Sequence, residues 1–192
     1  MGLTPNPLCI IQARMGSTRL PGKMMLPVAG KPLLWWSWRR SIEAFGDANV
    51  VVAMPASKEN DVLRAYCERI GARVFSWDGP ESDVLSRLWN CAHTFRWHPD
   101  SIIVRVCGED PLKDVKLMRA VVAGERHSVE LSCEAVTLMY LDILHTQVDD
   151  LDHREHLSYI LAPLPPPAPP PGVWGVDTEA DLEAIKATME GA

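Results

Sequence analysis

Four short apolar runs divide the first half of the chain: Leu8–Ile11, Val50–Met54, Ala72–Phe75 and Ser101–Val106. They carry β-branched or aromatic residues and are too short for buried helices, so each reads as a strand. Between them apolar residues recur at helical spacing. Leu34, Trp38, Ile42 and Phe45 share one face of a helix predicted from Pro32 to Phe45. Val62, Leu63, Tyr66 and Ile70 face inward from a second helix over Glu59–Ile70, with Gly71 as its C′ residue. A third helix spans Glu81–Phe95. Strands that alternate with helices in this way build βαβ units and a mostly parallel sheet. Such sheets bind ligands beyond the carboxyl ends of their strands.

The loop after the first strand is basic. It carries Arg14, Gly16, Ser17, Thr18, Arg19, Pro21, Gly22 and Lys23. Two glycines let backbone N–H groups approach phosphate oxygens, and Arg and Lys neutralise their charge. The alternative is a surface loop that is merely basic. Placement after a buried strand, with cations at spacings of five and four, favours a polyphosphate. Strand four runs into Cys107-Gly108-Glu109-Asp110-Pro111-Leu112, which puts an acidic turn at the same sheet edge.

Beyond Val115 the pattern weakens. Lys116–Ala123 reads as a helix, Leu131–Leu144 as strand or helix, and Arg154–Leu161 as a helix. Residues 162–171 hold seven of the sixteen prolines and read as a stiff extended connector, with a proline-binding partner as the lesser option. Val173–Val176 is predicted to be a short strand delivering Asp177. Thr178 caps a last helix over Glu179–Met189, with Leu182 and Ile185 inward. The expected organisation is one domain over 1–192. Its parts are a core of alternating strands and helices (8–112), a weakly patterned region (113–161), a proline-rich connector (162–172) and a final strand and helix (173–189).

A net charge of −6 argues against general nucleic-acid binding, so the basic loop is a local feature suited to one small anion. No run of about 18 apolar residues suggests a membrane span. The N-terminal residues lack the basic-then-apolar pattern of a signal peptide. Five cysteines without a C-x-x-C pair suggest reduced thiols in a cytoplasm.

Gln12-Ala13-Arg14-Met15-Gly16-Ser17-Thr18-Arg19-Leu20-Pro21-Gly22-Lys23 resembles the (Q/P)-A-R-x-x-S-x-R-x-P-G-K pattern of the sugar-activating cytidylyltransferases. These make CMP-Kdo and CMP-sialic acid, and the match looks closest to the spore-coat polysaccharide branch. Further matches are Asp83-Val84-Leu85-Ser86-Arg87 to D-V-L-x-R, Arg105 to V-R-x-x-G, and Val176-Asp177-Thr178 with Asp181-Leu182-Glu183 to V-D-T-x-x-D-L-E. Arg154-Glu155-His156 resembles R-E-H at the edge of the family's site. By this resemblance 8–112 is a nucleotide-binding core and 113–161 an acceptor or dimer region, shorter here than in the family.

The resemblance implies an α/β, three-layer, Rossmann-like nucleotidyltransferase fold of the GT-A kind. It implies Mg2+-dependent transfer of CMP from CTP to an acidic sugar, with release of pyrophosphate, for surface-polysaccharide precursors. Homodimer formation is a further option it raises. Arg14, Arg19 and Lys23 would hold the triphosphate, with Gly16 and Ser17 in the same loop. The main chain around Gln12 and Ala13 and the Asp83–Arg87 helix would read the base. Arg87 could reach a phosphate or instead pair with Asp83 on a helix surface, and Arg105 would contact nucleotide or sugar. The family's metal-binding Asp after strand four is Glu109 here, so either Glu109 or Asp110 would take that role, with Asp177 as second ligand. Asp181 reads as structural. Two other readings are a nucleotide-binding protein without transferase activity and a glycosyltransferase.

Overall fold

Leu8, Cys9, Ile10 and Ile11 are completely buried, as the central strand of a parallel sheet requires. A computed structural model of the chain describes residues 7–96, 98–157, 160–161 and 167–191. In chain order, β1 (Leu8–Gln12) leads through the basic loop and a small hairpin, β2 (Pro27–Val28) and β3 (Lys31–Pro32), into α1 (Leu33–Phe45). Then come β4 (Val50–Pro55), α2 (Asp61–Arg69), β5 (Arg73–Trp77), α3 (Val84–Phe95) and β6 (Ile102–Cys107). The rest comprises α4 (Val115–Val122), β7 (Glu134–Thr137), α5 (Leu138–Gln147), α6 (Leu151–Glu155) and α7 (Glu179–Glu190).

The main sheet runs β5-β4-β1-β6-β7, parallel except for β7. Alternating residues of β1 feed two cores. Leu8 and Ile10 pack with α3 and α5 on one face, whereas Cys9 and Ile11 pack with α1, α2 and α4 on the other. This is the predicted three-layer α/β arrangement. The chain first winds from β1 toward β4 and β5, then crosses back through α3 to β6 on the opposite side of β1. Strand order therefore reverses between β1 and β6, and a crevice opens at their carboxyl ends.

A third, smaller core fixes the C-terminal segment. Leu182 and Ile185 of α7 pack with Val176 against Val28 and Leu33 of the hairpin region. Among the described residues, no helix is long and apolar enough to cross a membrane. The five cysteines form no disulfide.

Several elements differ from expectation. Val62 is 53 % exposed, because one residue from Leu63 it is rotated about 100° off the inward stripe of Leu63, Tyr66 and Cys67. The third helix begins at Val84 rather than Glu81, since Asp83 caps it by accepting from the Ser86 N–H at 3.0 Å. The ambiguous Leu131–Leu144 stretch holds both alternatives: β7 ends at Thr137, whose hydroxyl caps α5.

The helix expected over Arg154–Leu161 lies earlier, as α6, and ends at Glu155; residues 158 and 159 of that stretch are outside the described set. Val173–Val176 forms no strand. Both edges of β6 are already occupied, by β1 and β7, so the segment attaches through the Val176 N–H to the Glu109 carbonyl at 3.0 Å. Of the proline run, 162–166 falls outside the described residues, and 167–171 has no regular secondary structure.

Candidate active site

The crevice at the ends of β1 and β6 is a cleft of about 220 Å3. The basic loop forms one wall, and the acidic turn, the start of α3 and the Glu155–His156 corner form others. Gln12, Ala13, Arg14, Ser17, Arg19, Lys23, Arg87, Arg105, Glu109 and Asp177 all line it. Gly16, Asp83 and Asp110, also expected at the site, do not.

The glycines act differently from expectation. Gly22 adopts φ +73° to turn the chain, and its N–H donates to the Met15 carbonyl at 3.0 Å. Gly16 makes room for a carboxylate: a Cβ there would sit 2.6 Å from Glu81 Oε1. The loop is pinned further by Met15 N–H to Asn60 Oδ1 at 2.9 Å.

Lys23 is the pivot of one end of the cleft. Its side chain is buried, and its ammonium donates to the Val176 carbonyl at 2.7 Å and to Asp177 Oδ1 at 2.9 Å. Glu109 Oε1 stands 3.8 Å from the same nitrogen. Arg19 reaches Asp177 Oδ1 at 2.9 Å from the solvent side. Asp181 secures this corner by accepting from the Asp177 N–H at 3.1 Å and the Thr178 N–H at 2.8 Å, within a capping box.

Asp110 points elsewhere. It is buried against Lys113 Nζ at 2.9 Å, and Lys113 also donates to the Val129 carbonyl. Burial pushes the Asp110 carboxyl upward while Lys113 pulls it down. Ser37 Oγ donates to the Gly108 carbonyl at 2.9 Å, which fixes the same turn from beneath. The turn thus divides its two acids: Glu109 faces the cleft and Asp110 anchors the loop.

The other end is built on Arg87. Far from being a surface helix residue, Arg87 is 2 % exposed and donates through Nε to Gln12 Oε1 at 2.7 Å and through Nη1 to the Glu81 carbonyl at 3.1 Å. Burial and the nearby Arg14 charge push its pKa down to about 10. Asp83, the alternative partner offered for Arg87, pairs with Arg154 at 3.0 Å. The reason is local: Asp83 precedes the helix as its cap, so its carboxylate turns toward Ser86 and Arg154. Arg14 lies between Glu155 at 3.1 Å and Glu81 at 3.6 Å. Arg105 pairs with Glu134 of β7 across the sheet.

The family model described as cytidylyltransferase matches residues 8–150. The chain belongs to the cytidylyltransferase family. That match includes the middle region, which the short motifs did not reach. The spore coat polysaccharide biosynthesis protein SpsF of Bacillus subtilis (strain 168) is 30% identical over 213 residues, covering 96% of this chain and 87% of that protein. The 8-amino-3,8-dideoxy-manno-octulosonate cytidylyltransferase of Shewanella baltica (strain OS185) is 29% identical over 149 residues, covering 77% of this chain but 58% of that protein. The chain thus spans well under two thirds of that relative. A cytidylyltransferase structure from Leptospira borgpetersenii serovar Hardjo-bovis (strain JB197) superposes with a TM-score of 0.83, at 26% identity, covering 98% of this chain and 88% of that one.

In this cytidylyltransferase no group of three His, Cys, Asp or Glu residues is poised as a metal cage, among the described residues. What the cleft offers is two carboxylates, Glu109 and Asp177, gathered around one ammonium. This donor set fits Mg2+, which takes one or two protein carboxylates and completes its octahedron with phosphate oxygens and water. Sequence reasoning missed Glu81, which no motif marks, and the use of Glu155 as a partner of Arg14. The Arg154-Glu155-His156 run was the available signal, and both Glu155 and His156 line the cleft.

Proposed function

We propose that this cytidylyltransferase transfers CMP from CTP to a hydroxyl of an acidic sugar, releasing pyrophosphate, in the cytoplasmic synthesis of surface-polysaccharide precursors. The observation that carries the reading is the meeting of Lys23, Glu109 and Asp177, from three distant parts of the chain, in the cleft below the basic loop. Phosphoryl-type transfer is mainly positioning and charge stabilisation, which a clamp of this kind supplies. Lys23, Arg19 and Arg14 would hold the triphosphate oxygens, and Arg14 would exchange Glu81 and Glu155 for phosphate. Glu109 and Asp177 would hold Mg2+, which when bound would offset charge on the triphosphate. Arg105, buried at the cleft floor, would fix the reacting groups. Base and sugar would occupy the side bounded by α3 and the Glu155–His156 corner. Direct displacement fits a cleft in which, among the described residues, no activated nucleophile stands out.

The test is pyrophosphate release with each nucleoside triphosphate, with and without Mg2+, across a panel of 2-keto acid sugars. Release with CTP and one such sugar supports the reading. CTP binding without release under any pairing would leave a nucleotide-binding protein, and preference for a sugar nucleotide would indicate a glycosyltransferase.

A further inference from the structure

Gln12 closes β1 with its side chain at the cleft, and it is 6 % exposed. Its Oε1 accepts from Arg87 Nε at 2.7 Å. A guanidinium only donates, so this bond fixes the amide's orientation: oxygen toward Arg87, nitrogen away from it. The nitrogen, Nε2, is buried and has no hydrogen-bond partner in the structure. A buried donor left without an acceptor loses its hydration with nothing in return, so such a group calls for a partner. The main chain beside it is already engaged: Ala13 N–H donates to the Ala53 carbonyl, and the Gln12 carbonyl accepts from the Gly108 N–H. The side-chain amide is therefore what Gln12 holds in reserve.

We propose that Gln12 is a specificity-determining residue whose amide nitrogen donates to an acceptor of the nucleobase. The inference rests on the CTP reading above. Cytosine presents two adjacent acceptors, N3 and O2, and one donor, the exocyclic amine. Because Arg87 fixes the amide with its oxygen toward the guanidinium, the unpartnered Nε2 is directed at an acceptor and cannot itself serve the amine. Arg87 thus acts as a positioning residue for Gln12, in addition to any contact of its own. A site built to hydrogen-bond one group of a substrate discriminates more sharply than an apolar wall, since the wrong partner leaves a buried polar group unpaired.

The test is calorimetric titration of CTP and of inorganic tripolyphosphate, with Mg2+, into wild type, Gln12→Met and Gln12→Glu. Met is close in shape, uncharged and lacks the donor. Glu keeps an acceptor for Arg87 and so guards against misfolding from an unpaired guanidinium. The expected result is CTP binding weakened at least about tenfold in both variants, with tripolyphosphate binding by Gln12→Met unchanged. Equal CTP affinity in wild type and Gln12→Met, as when water alone satisfies the amide, overturns the proposal. So does a parallel loss of tripolyphosphate affinity in Gln12→Met, which places Gln12 at the phosphates. Wild type that takes up no CTP overturns the functional reading and this inference with it.

Discussion

Lys23 Nζ lies 2.9 Å from Asp177 Oδ1, although 154 residues separate the two in the chain. The contact closes one end of the cleft, because the same nitrogen holds the Val176 carbonyl and faces Glu109. A single buried ammonium thereby joins the basic loop, the turn after β6 and the segment that enters α7.

Replacing Lys23 with Ala removes the cation at the centre of this junction. The expected outcome is a fall in kcat of about 10²–10³-fold, the range for losing one preorganised electrostatic contact. The sheet does not depend on the side chain, so far-ultraviolet circular dichroism is expected to stay as in wild type. Near-normal pyrophosphate release would refute the clamp.

Glu109 and Asp110 separate by experiment as they do in space. Glu109→Gln is expected to raise the Mg2+ concentration needed for half-maximal activity while leaving urea unfolding unchanged. Asp110→Asn leaves Lys113 buried with its carboxylate partner gone, and breaking such a pair costs about 3–5 kcal/mol. Denaturation curves and Mg2+ titrations of both variants check the division. The reverse pattern would assign the metal to Asp110.

Thr178→Ala removes the cap of α7, with an expected loss of about 1 kcal/mol in urea unfolding. Asp181→Ala also frees the Asp177 and Thr178 N–H groups, so its Mg2+ requirement is expected to rise. An unchanged Mg2+ requirement would show that Asp181 serves only the helix.

Asp83 supplies a pH dependence of stability. Burial opposes its charge, but the Ser86 N–H and Arg154 more than compensate and hold its pKa below the usual carboxylate value. A depressed carboxyl contributes stability that is present above its unfolded pKa and lost as pH falls through the folded one. Wild type is therefore expected to exceed Asp83→Asn in stability at neutral pH, with the gap narrowing by about pH 3. Urea unfolding at the two pH values measures this. A gap of constant size would mean that the charge of Asp83 contributes nothing.

The strand runs, the helical spacing around Leu34 and Leu63, and the twelve residues from Gln12 to Lys23 carry the α/β architecture and the family in the sequence alone. Periodicity and short-range motifs are local properties, and a parallel sheet with its loop at the carboxyl edge follows from them. Partner choice among charged side chains is not local. Arg87 paired with Gln12 rather than Asp83, Glu81 packed into the space left by Gly16, and Asp110 turned inward to Lys113 all depend on how α3, β1 and the turn after β6 meet. For the same reason Val176 joins Glu109 without forming a strand, since the neighbours of β6 are decided only when the sheet assembles. The sequence by itself determined which chemistry this chain carries; the tertiary structure decided which atom each charge faces, because burial leaves every ion only the partners that packing brings within reach.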